Sequence, residues 1–277
     1  MFLGIDIGGT KTLLALFCPR GFCLKSLKFP TEKNPNLFIK TLKKHLESFL
    51  PKNLKAVTIA IPGTIKTEQN FYTISCENLG WQNFDIITPI KNLFSCQIFL
   101  ANDANLATLY ETNRLKNHEQ KIIYLTFSTG IGGGISENNL LLPRSNSFEP
   151  GHKKYNYNGQ KLEWEDFASA KALSETYGSP LNSLKLTDTS KTDLISKLLP
   201  GLSDIIKTES PDTIIIGGPL AYLLKDIEQP LINSLSPSSA HPISIKKAHR
   251  PEKSTIYGTF LNSKLILSGK QIYAPKN

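Results

Sequence analysis

Six residues near the start of the chain, Asp6-Ile7-Gly8-Gly9-Thr10-Lys11, bring together a carboxylate, two glycines, a hydroxyl and a cation. They lie between the apolar runs Phe2-Leu3-Gly4-Ile5 and Leu13-Leu14-Ala15-Leu16-Phe17, so they read as the tight turn of a β-hairpin. A turn built from Gly8, Gly9 and Thr10 has little side-chain bulk and offers consecutive backbone N–H groups, which suits an anion. Lys11 adds positive charge beside it. Asp6, on the preceding strand, points a carboxylate at the same place, and a carboxylate next to a phosphate calls for Mg²⁺ between them. A phosphate loop and an ordinary Gly-Gly hairpin account for these six residues equally well.

Two further places repeat the theme. The apolar run Gln97-Ile98-Phe99-Leu100 leads into Asn102-Asp103-Ala104-Asn105, with a helix beginning directly behind. The carboxyl end of a buried strand is where open α/β sheets bind ligands. Asp103 there can be a catalytic carboxylate or a helix N-cap, and position does not separate the two. Later, the strand Lys121–Phe127 runs into Ser128-Thr129-Gly130-Ile131-Gly132-Gly133-Gly134-Ile135, four glycines in five positions. Strand, glycine turn, strand thus occurs twice, and two such turns can embrace a polyphosphate. Gly217 and Gly218 end the apolar run Thr213–Ile216, where bare backbone admits a flat base or simply turns the chain into a helix. In Glu77-Asn78-Leu79-Gly80-Trp81 the Asn78 amide and the Trp81 indole can reach a polyol, or the loop is plain turn chemistry.

The elements that position these residues follow from periodicity. A third strand spans Phe22 to Phe29, and Pro35 opens a helix whose Phe38, Leu42, Leu46 and Phe49 form one apolar stripe. Ala56–Ile61 is a continuous apolar run of strand length, which predicts a strand buried on both faces and a sheet with helices on each side. A short helix is expected from Asp85 to Phe94. The polar segment Asn113–Gln120 predicts a crossover to a second lobe. There Leu194, Leu198, Leu202 and Ile205 mark a helix that Pro200-Gly201 should kink, and a helix from Thr255 to Ser268 closes the chain.

Taken in order, Asp6–Lys11, Asn102–Asn105, Ser128–Ile135, Glu149-Pro150-Gly151-His152 and Ile214-Ile215-Ile216-Gly217-Gly218-Pro219-Leu220 resemble the motifs of the ROK family of bacterial sugar kinases and sugar-responsive repressors, within the actin-like ATPase superfamily. The resemblance covers nearly the whole chain. It implies a two-lobed α/β fold of the actin-like, ribonuclease H-like kind, with mixed sheets flanked by helices and an interlobe cleft. The lobes would be residues 1–116 plus 258–277, and residues 117–257. It implies ATP-dependent phosphorylation of a hexose hydroxyl, glucokinase-like, with Asp103 as general base. Asn78, Asn102, Glu149, His152 and Glu165 would bind the sugar. Gly8, Gly9, Thr10, Lys11, Thr129, Gly130, Gly132, Gly133 and Gly134 would hold ATP phosphates, Asp6 would hold Mg²⁺, and Gly217 and Gly218 would lie against adenine. By analogy the chain would form a homodimer.

Two departures stand out. Many family members carry a Cys-x-Cys-Gly-x-x-Gly-Cys-x-Glu zinc motif after the Gly-His pair, and here Asn156, Asn158 and Glu163 stand where the three cysteines would be. Two amides and a carboxylate are a poor zinc set, so no structural zinc is expected. Order in this segment must then come from packing by Tyr155, Tyr157 and Trp164. The family's repressors place a helix-turn-helix ahead of the first phosphate motif, whereas Asp6 follows almost at once after Met1, which favours the kinase branch over the repressors. The alternative is a non-catalytic sugar-binding sensor without a DNA-binding domain, motivated by the lost zinc motif and opposed by the retention of Asp103, Glu149 and His152.

Composition narrows the remaining classes. The chain has 277 residues, 40% of them hydrophobic, enough for two cores. The net charge of +9 is spread over dispersed lysines, without the basic run and interleaved aromatics of a nucleic-acid binder. No apolar run has the length of a membrane span, so a cytoplasmic protein is expected. Cys18, Cys23, Cys76 and Cys96 are scattered without metal-ligand spacing and read as reduced, small apolar side chains.

Overall fold

The computed structural model describes residues 1–68, 71–76, 79–115, 120–239 and 241–275. The chain divides into two compact units, Met1–Tyr110 with Thr255–Ile272, and Glu111–Ser254 with Tyr273–Asn277.

In the first unit, β1 (Phe2–Ile7), β2 (Lys11–Phe17) and β3 (Cys23–Pro30) form an antiparallel meander. Helix α1 (Pro35–Phe49) is started by Asn34, whose Oδ1 accepts the N–H groups of Asn36 and Leu37 at 3.0 and 3.1 Å, with Pro35 pre-set for the first turn. Strand β4 (Ala56–Ile61) then lies parallel to β1. A small antiparallel sheet follows, made of β5 (Thr64–Glu68), β6 (Phe71–Cys76) and β7 (Trp81–Phe84). The expected helix after Asp85 is shorter than its pattern: α2 is Ile87–Ile90, continued by one 3₁₀ turn, with Asp85 capping it. Strand β8 (Gln97–Asn102) completes the order β3-β2-β1-β4-β8, and α3 (Asp103–Thr112) follows at once.

The second unit repeats the plan. β9 (Lys121–Phe127), β10 (Ile131–Glu137) and β11 (Leu140–Leu141) are antiparallel. A separate hairpin, β12 (Lys154–Tyr157) and β13 (Gln160–Glu163), leads into α4 (Trp164–Ala168) and α5 (Ala170–Tyr177). Helix α6 (Asp188–Glu209) runs unbroken across Pro200 and Gly201. β14 (Thr213–Gly217), α7 (Leu224–Leu235) and β15 (Ser244–Lys247) give the order β11-β10-β9-β14-β15, with β9, β14 and β15 parallel. Helix α8 (Ser254–Leu267) then joins the first unit.

Packing explains the apolar runs. On one face of the first sheet, Leu3, Ile5, Val57, Ile59 and Ile61 meet Phe38, Leu42 and Leu46 of α1. On the other, Phe2, Phe17 and Ala56 meet Ile256 and Phe260 of α8, with the Phe2 and Phe260 rings edge to face at 5.3 Å. Thr58, buried in this strand, hydrogen-bonds Ser263 at 2.7 Å and so satisfies its hydroxyl. In the second unit Ile123, Leu125, Phe127, Ile214 and Ile216 pack on Trp164 and on the stripe Leu194, Leu198, Leu202. Among the described residues no helix is long and apolar enough to cross a membrane.

Candidate active site

The first unit places two carboxylates, Asp6 and Asp103, where β1 ends and where β8 passes into α3. The chain turns from β1 to β2 through a hydrogen bond from the Gly8 N–H to the Lys11 carbonyl, 3.0 Å, and Thr31 N–H donates to the Thr10 carbonyl, also 3.0 Å. Neither Gly8 nor Gly9 takes the left-handed backbone region, so what they contribute here is bareness. Thr10 and Lys11 are exposed. By strand alternation Asp6 shares the face of Phe2, the face that α8 covers. Burial, and then the charge of Asp103, push the Asp6 carboxyl up to about 7, against the pull of Lys28. A desolvated carboxylate that also feels a second one fits a divalent cation, which would offset both penalties.

Asn102, the last residue of β8, stands at the start of α3. Its Oδ1 accepts the Asn105 N–H at 3.1 Å, so the cap of α3 falls on Asn102, and its Nδ2 donates to the Gly63 carbonyl at 3.3 Å. Asp103, one residue later, accepts the adjacent Ala104 N–H at 2.8 Å. The Asn102 amide is thus engaged at both ends by the protein itself, leaving one hydrogen and one lone pair for a hydroxyl. Asn78 lies outside the described residues. Its loop neighbour Trp81 departs from expectation: the indole is 1% exposed, and its N–H donates to the Lys33 carbonyl at 2.8 Å. It sits 4.9 Å from the Phe38 ring, and an aromatic of this size gains more from such a core than from offering its edge to a polyol.

In the second unit the glycine run is divided between turn and strand. Thr129 is exposed and Gly130 and Gly132 are partly so, but Gly133 and Gly134 are buried in β10 opposite Leu125 and Tyr124. Glu165, in the first turn of α4, reaches this turn directly: its Oε2 accepts the Ile131 N–H at 3.1 Å. The carboxylate fills space that two glycines vacate, since a Cβ on either Gly130 or Gly151 would meet Oε2 at 2.5 Å. Glu165 therefore ties the glycine turn to the Glu149–His152 segment.

That segment is a 3₁₀ turn, Pro150–His152, with Glu149 ahead of it. Burial raises the Glu149 carboxyl, His152 opposes this, and Glu165 adds to it. His152 is half-exposed, and its Nδ1 lies 2.9 Å from Glu163 Oε2. That hydrogen bond is the main cause raising the His152 imidazole; burial opposes it, and the charges of Glu165, Glu163 and Glu149 add to it.

The residues standing at the zinc motif form the β12–β13 hairpin. Tyr157 pairs with Gln160 across a two-residue loop in which Asn158 and Gly159 both have positive φ, 49° and 77°, the geometry Asn-Gly favours in tight hairpins. Asn156 lies within this ladder opposite Lys161. Tyr157 stacks on Phe167 at 4.3 Å, and buried Trp164 donates its indole N–H to the Lys197 carbonyl at 3.1 Å. Among the described residues, His152, Glu163 and Glu165 are the group whose ligating atoms lie within 4.8 Å of one another.

Gly217 and Gly218 are explained by packing. A Cβ on Gly217 would run into the Tyr124 hydroxyl and one on Gly218 into the Phe127 backbone, and Gly218 has φ +70° while its N–H donates to the Pro251 carbonyl at 2.7 Å. Sequence reasoning missed Glu111 altogether. Its buried carboxylate accepts the N–H groups of His249 and Arg250 at 2.7 and 3.1 Å and the Ser254 hydroxyl at 2.6 Å, fixing the loop after β15. A lone Glu at the end of a helix gives no sequence signal for partners nearly 140 residues away.

A five-stranded mixed sheet fed by a hairpin, built twice, defines the actin-like ATPase fold. The match to a ROK family glucokinase from Streptomyces griseus, solved in complex with glucose and AMPPNP, has a TM-score of 0.76 at 22% identity, covering 94% of this chain and 98% of that one. The chain belongs to the ROK family, whose pattern it matches over residues 2–264. Curated relatives include the xylose repressor of Bacillus subtilis (strain 168), 28% identical over 240 residues, which is 78% of this chain and 57% of the repressor. The fructokinase of Lactococcus lactis subsp. cremoris is 28% identical over 166 residues, 58% of this chain and 55% of that protein. The chain thus spans little more than half the length of these two relatives.

Proposed function

We propose that this protein is an ATP-dependent sugar kinase acting on a hexose hydroxyl. The observation that carries the reading is the carboxylate pair of the first unit, Asp103 at the end of β8 and Asp6 at the end of β1, close enough that one perturbs the other. Phosphoryl transfer asks a protein for positioning and for stabilisation of spread negative charge rather than for covalent chemistry. Two carboxylates with separate duties meet that need.

Asp103 accepts the proton of the attacking sugar hydroxyl. Asp6 is the residue that would hold Mg²⁺, which when bound screens the charge of the transferring phosphate. On the phosphate side the first unit offers the exposed Thr10 and Lys11 side chains, and the second the exposed Thr129 hydroxyl. Glu149 and His152 offer a carboxylate and an imidazole to ring hydroxyls, so that a sugar lacking one of those hydroxyls loses that hydrogen bond. Glu165, already bonded to Ile131 N–H, holds the glycine turn in register with these two. The fructokinase relative supports phosphoryl transfer to a sugar, and the retention of Asp103, Glu149 and His152 supports it over binding alone.

The xylose repressor relative and the absent cysteines favour a second reading, a sugar sensor that binds without turnover. A coupled ADP-release assay across hexoses and N-acetyl hexosamines separates the two. Turnover with at least one sugar supports the kinase. Sugar binding without ADP release from any of them supports the sensor.

A further inference from the structure

We infer that Glu163 is a positioning residue for His152: its carboxylate accepts the Nδ1–H, fixes the ring's orientation and leaves Nε2 as the polar atom for a sugar hydroxyl. The inference rests on the sugar-binding role of His152 proposed above. His152 closes a 3₁₀ turn with its side chain 52% exposed, so packing does little to choose among its rotamers. The Glu163 hydrogen bond, 2.9 Å, supplies that choice.

Glu163 itself is held rigidly. It is the last residue of β13, in register with Lys154, and it forms a capping box with Asp166, whose Oδ2 accepts the Glu163 N–H at 2.9 Å while the Glu163 side chain accepts in return. The Asn158-Gly159 turn fixes that register from the far end. A backbone-anchored carboxylate therefore meets an otherwise loosely held imidazole. The contact is also shorter than the roughly 3.3 Å that separates two ligands of one tetrahedral zinc, so the pair satisfies itself by direct hydrogen bonding. An exposed pair of this kind adds little to folding stability. What it decides is where a ring nitrogen points, since the hydrogen bond at one nitrogen sets the tautomer at the other. The charged groups facing His152 are Glu149, Glu163 and Glu165, with Lys154 Nζ behind Glu163 at 4.0 Å.

The test is Glu163→Gln in the full chain, because Gln keeps the shape and an accepting oxygen but loses the charge. Wild type is first assayed for ADP release with D-glucose and D-fructose, and sugar binding is measured separately by calorimetry. The expected result is a sugar KM, or calorimetric Kd, raised about tenfold, the scale of weakening one charge-assisted hydrogen bond. ATP KM and kcat should stay within about twofold, and the pH at which sugar affinity changes should move down. Asp166→Asn, which weakens the capping box that holds Glu163 but keeps the Glu163 carboxylate, should raise the sugar KM or Kd less than Glu163→Gln does. Unchanged sugar affinity in Glu163→Gln, or an equal loss in Asp166→Asn, overturns the inference. If wild type binds sugar without turnover, the kinase reading fails while the calorimetric comparison still decides the role of Glu163.

Discussion

The two glycine turns sit on the same scaffold and have different residues around them. Each joins the central strand of a five-stranded sheet to its antiparallel neighbour, and each sheet continues with two parallel strands on the other side. In the first unit the next-to-last residue of the central strand is Asp6, beside Ala60; in the second it is Thr126, beside Gly217. At the end of the last parallel strand the first unit has Asn102 and Asp103, whereas the second has Lys247 and Ala248. One copy of the scaffold places acid at these two strand ends and the other keeps the ends of β9, β14 and β15 neutral or basic, with Glu149 just ahead of the 3₁₀ turn, Glu163 at the end of the β13 hairpin strand and Glu165 on α4. Under the proposed function, the duplicated backbone would separate the groups that act on a proton and a metal from those that recognise the sugar.

The sharpest way to break the comparison is at Asp103. Asp103→Asn should lower turnover by roughly 10²–10⁴-fold, the share of a general base, with ATP affinity nearly unchanged in equilibrium binding. Nearly full activity would remove Asp103 from the reaction. The matching lesion in the second unit is Gly151→Ala, whose methyl would press on Glu165 Oε2. Overpacking of this kind costs about 1–3 kcal/mol, so the variant should melt lower and bind sugar more weakly, and a variant indistinguishable from wild type in both would show that the close approach is unimportant.

Charge isolation in the first unit is tested by pH. Because the folded Asp6 carboxyl is raised to about 7 from its ordinary 3.8, the folded state holds an extra proton between those values. That contribution to stability is full below pH 4 and is lost as pH rises through 7. Thermal melts without Mg²⁺ or nucleotide should therefore fall from pH 5 to pH 8 in wild type and fall less in Asp6→Asn; equal slopes would mean that Asp6 is ordinarily solvated. The smallest expected effect is Asn158→Ala in the β12–β13 turn. It places a residue with a Cβ and no compensating amide at φ 49° and should cost about 1 kcal/mol, readable as a modest drop in denaturation midpoint.

Much of this was legible in one dimension. Hairpins, the stripe of α1 and the buried strand Ala56–Ile61 are written in periods of two and 3.6, and short-range sterics enforce them wherever they occur. The ordered motifs likewise marked Asp6, Asp103, Glu149, His152 and Glu165 as a set. Local pattern was silent on how each polar atom is satisfied. That the cap of α3 falls on Asn102, that Trp81 turns its indole to Lys33, and that Gly217 makes room for Tyr124 depend on residues distant in the chain. The same holds for Glu163, which by its place among the missing cysteines looked like a poor metal ligand and in space is the partner of His152. Covalent neighbours determine which backbone shape is affordable, and they do so residue by residue along the chain. Hydrogen-bond partnership is settled only when packing brings donors and acceptors to within about 3 Å, and that distance belongs to the folded molecule.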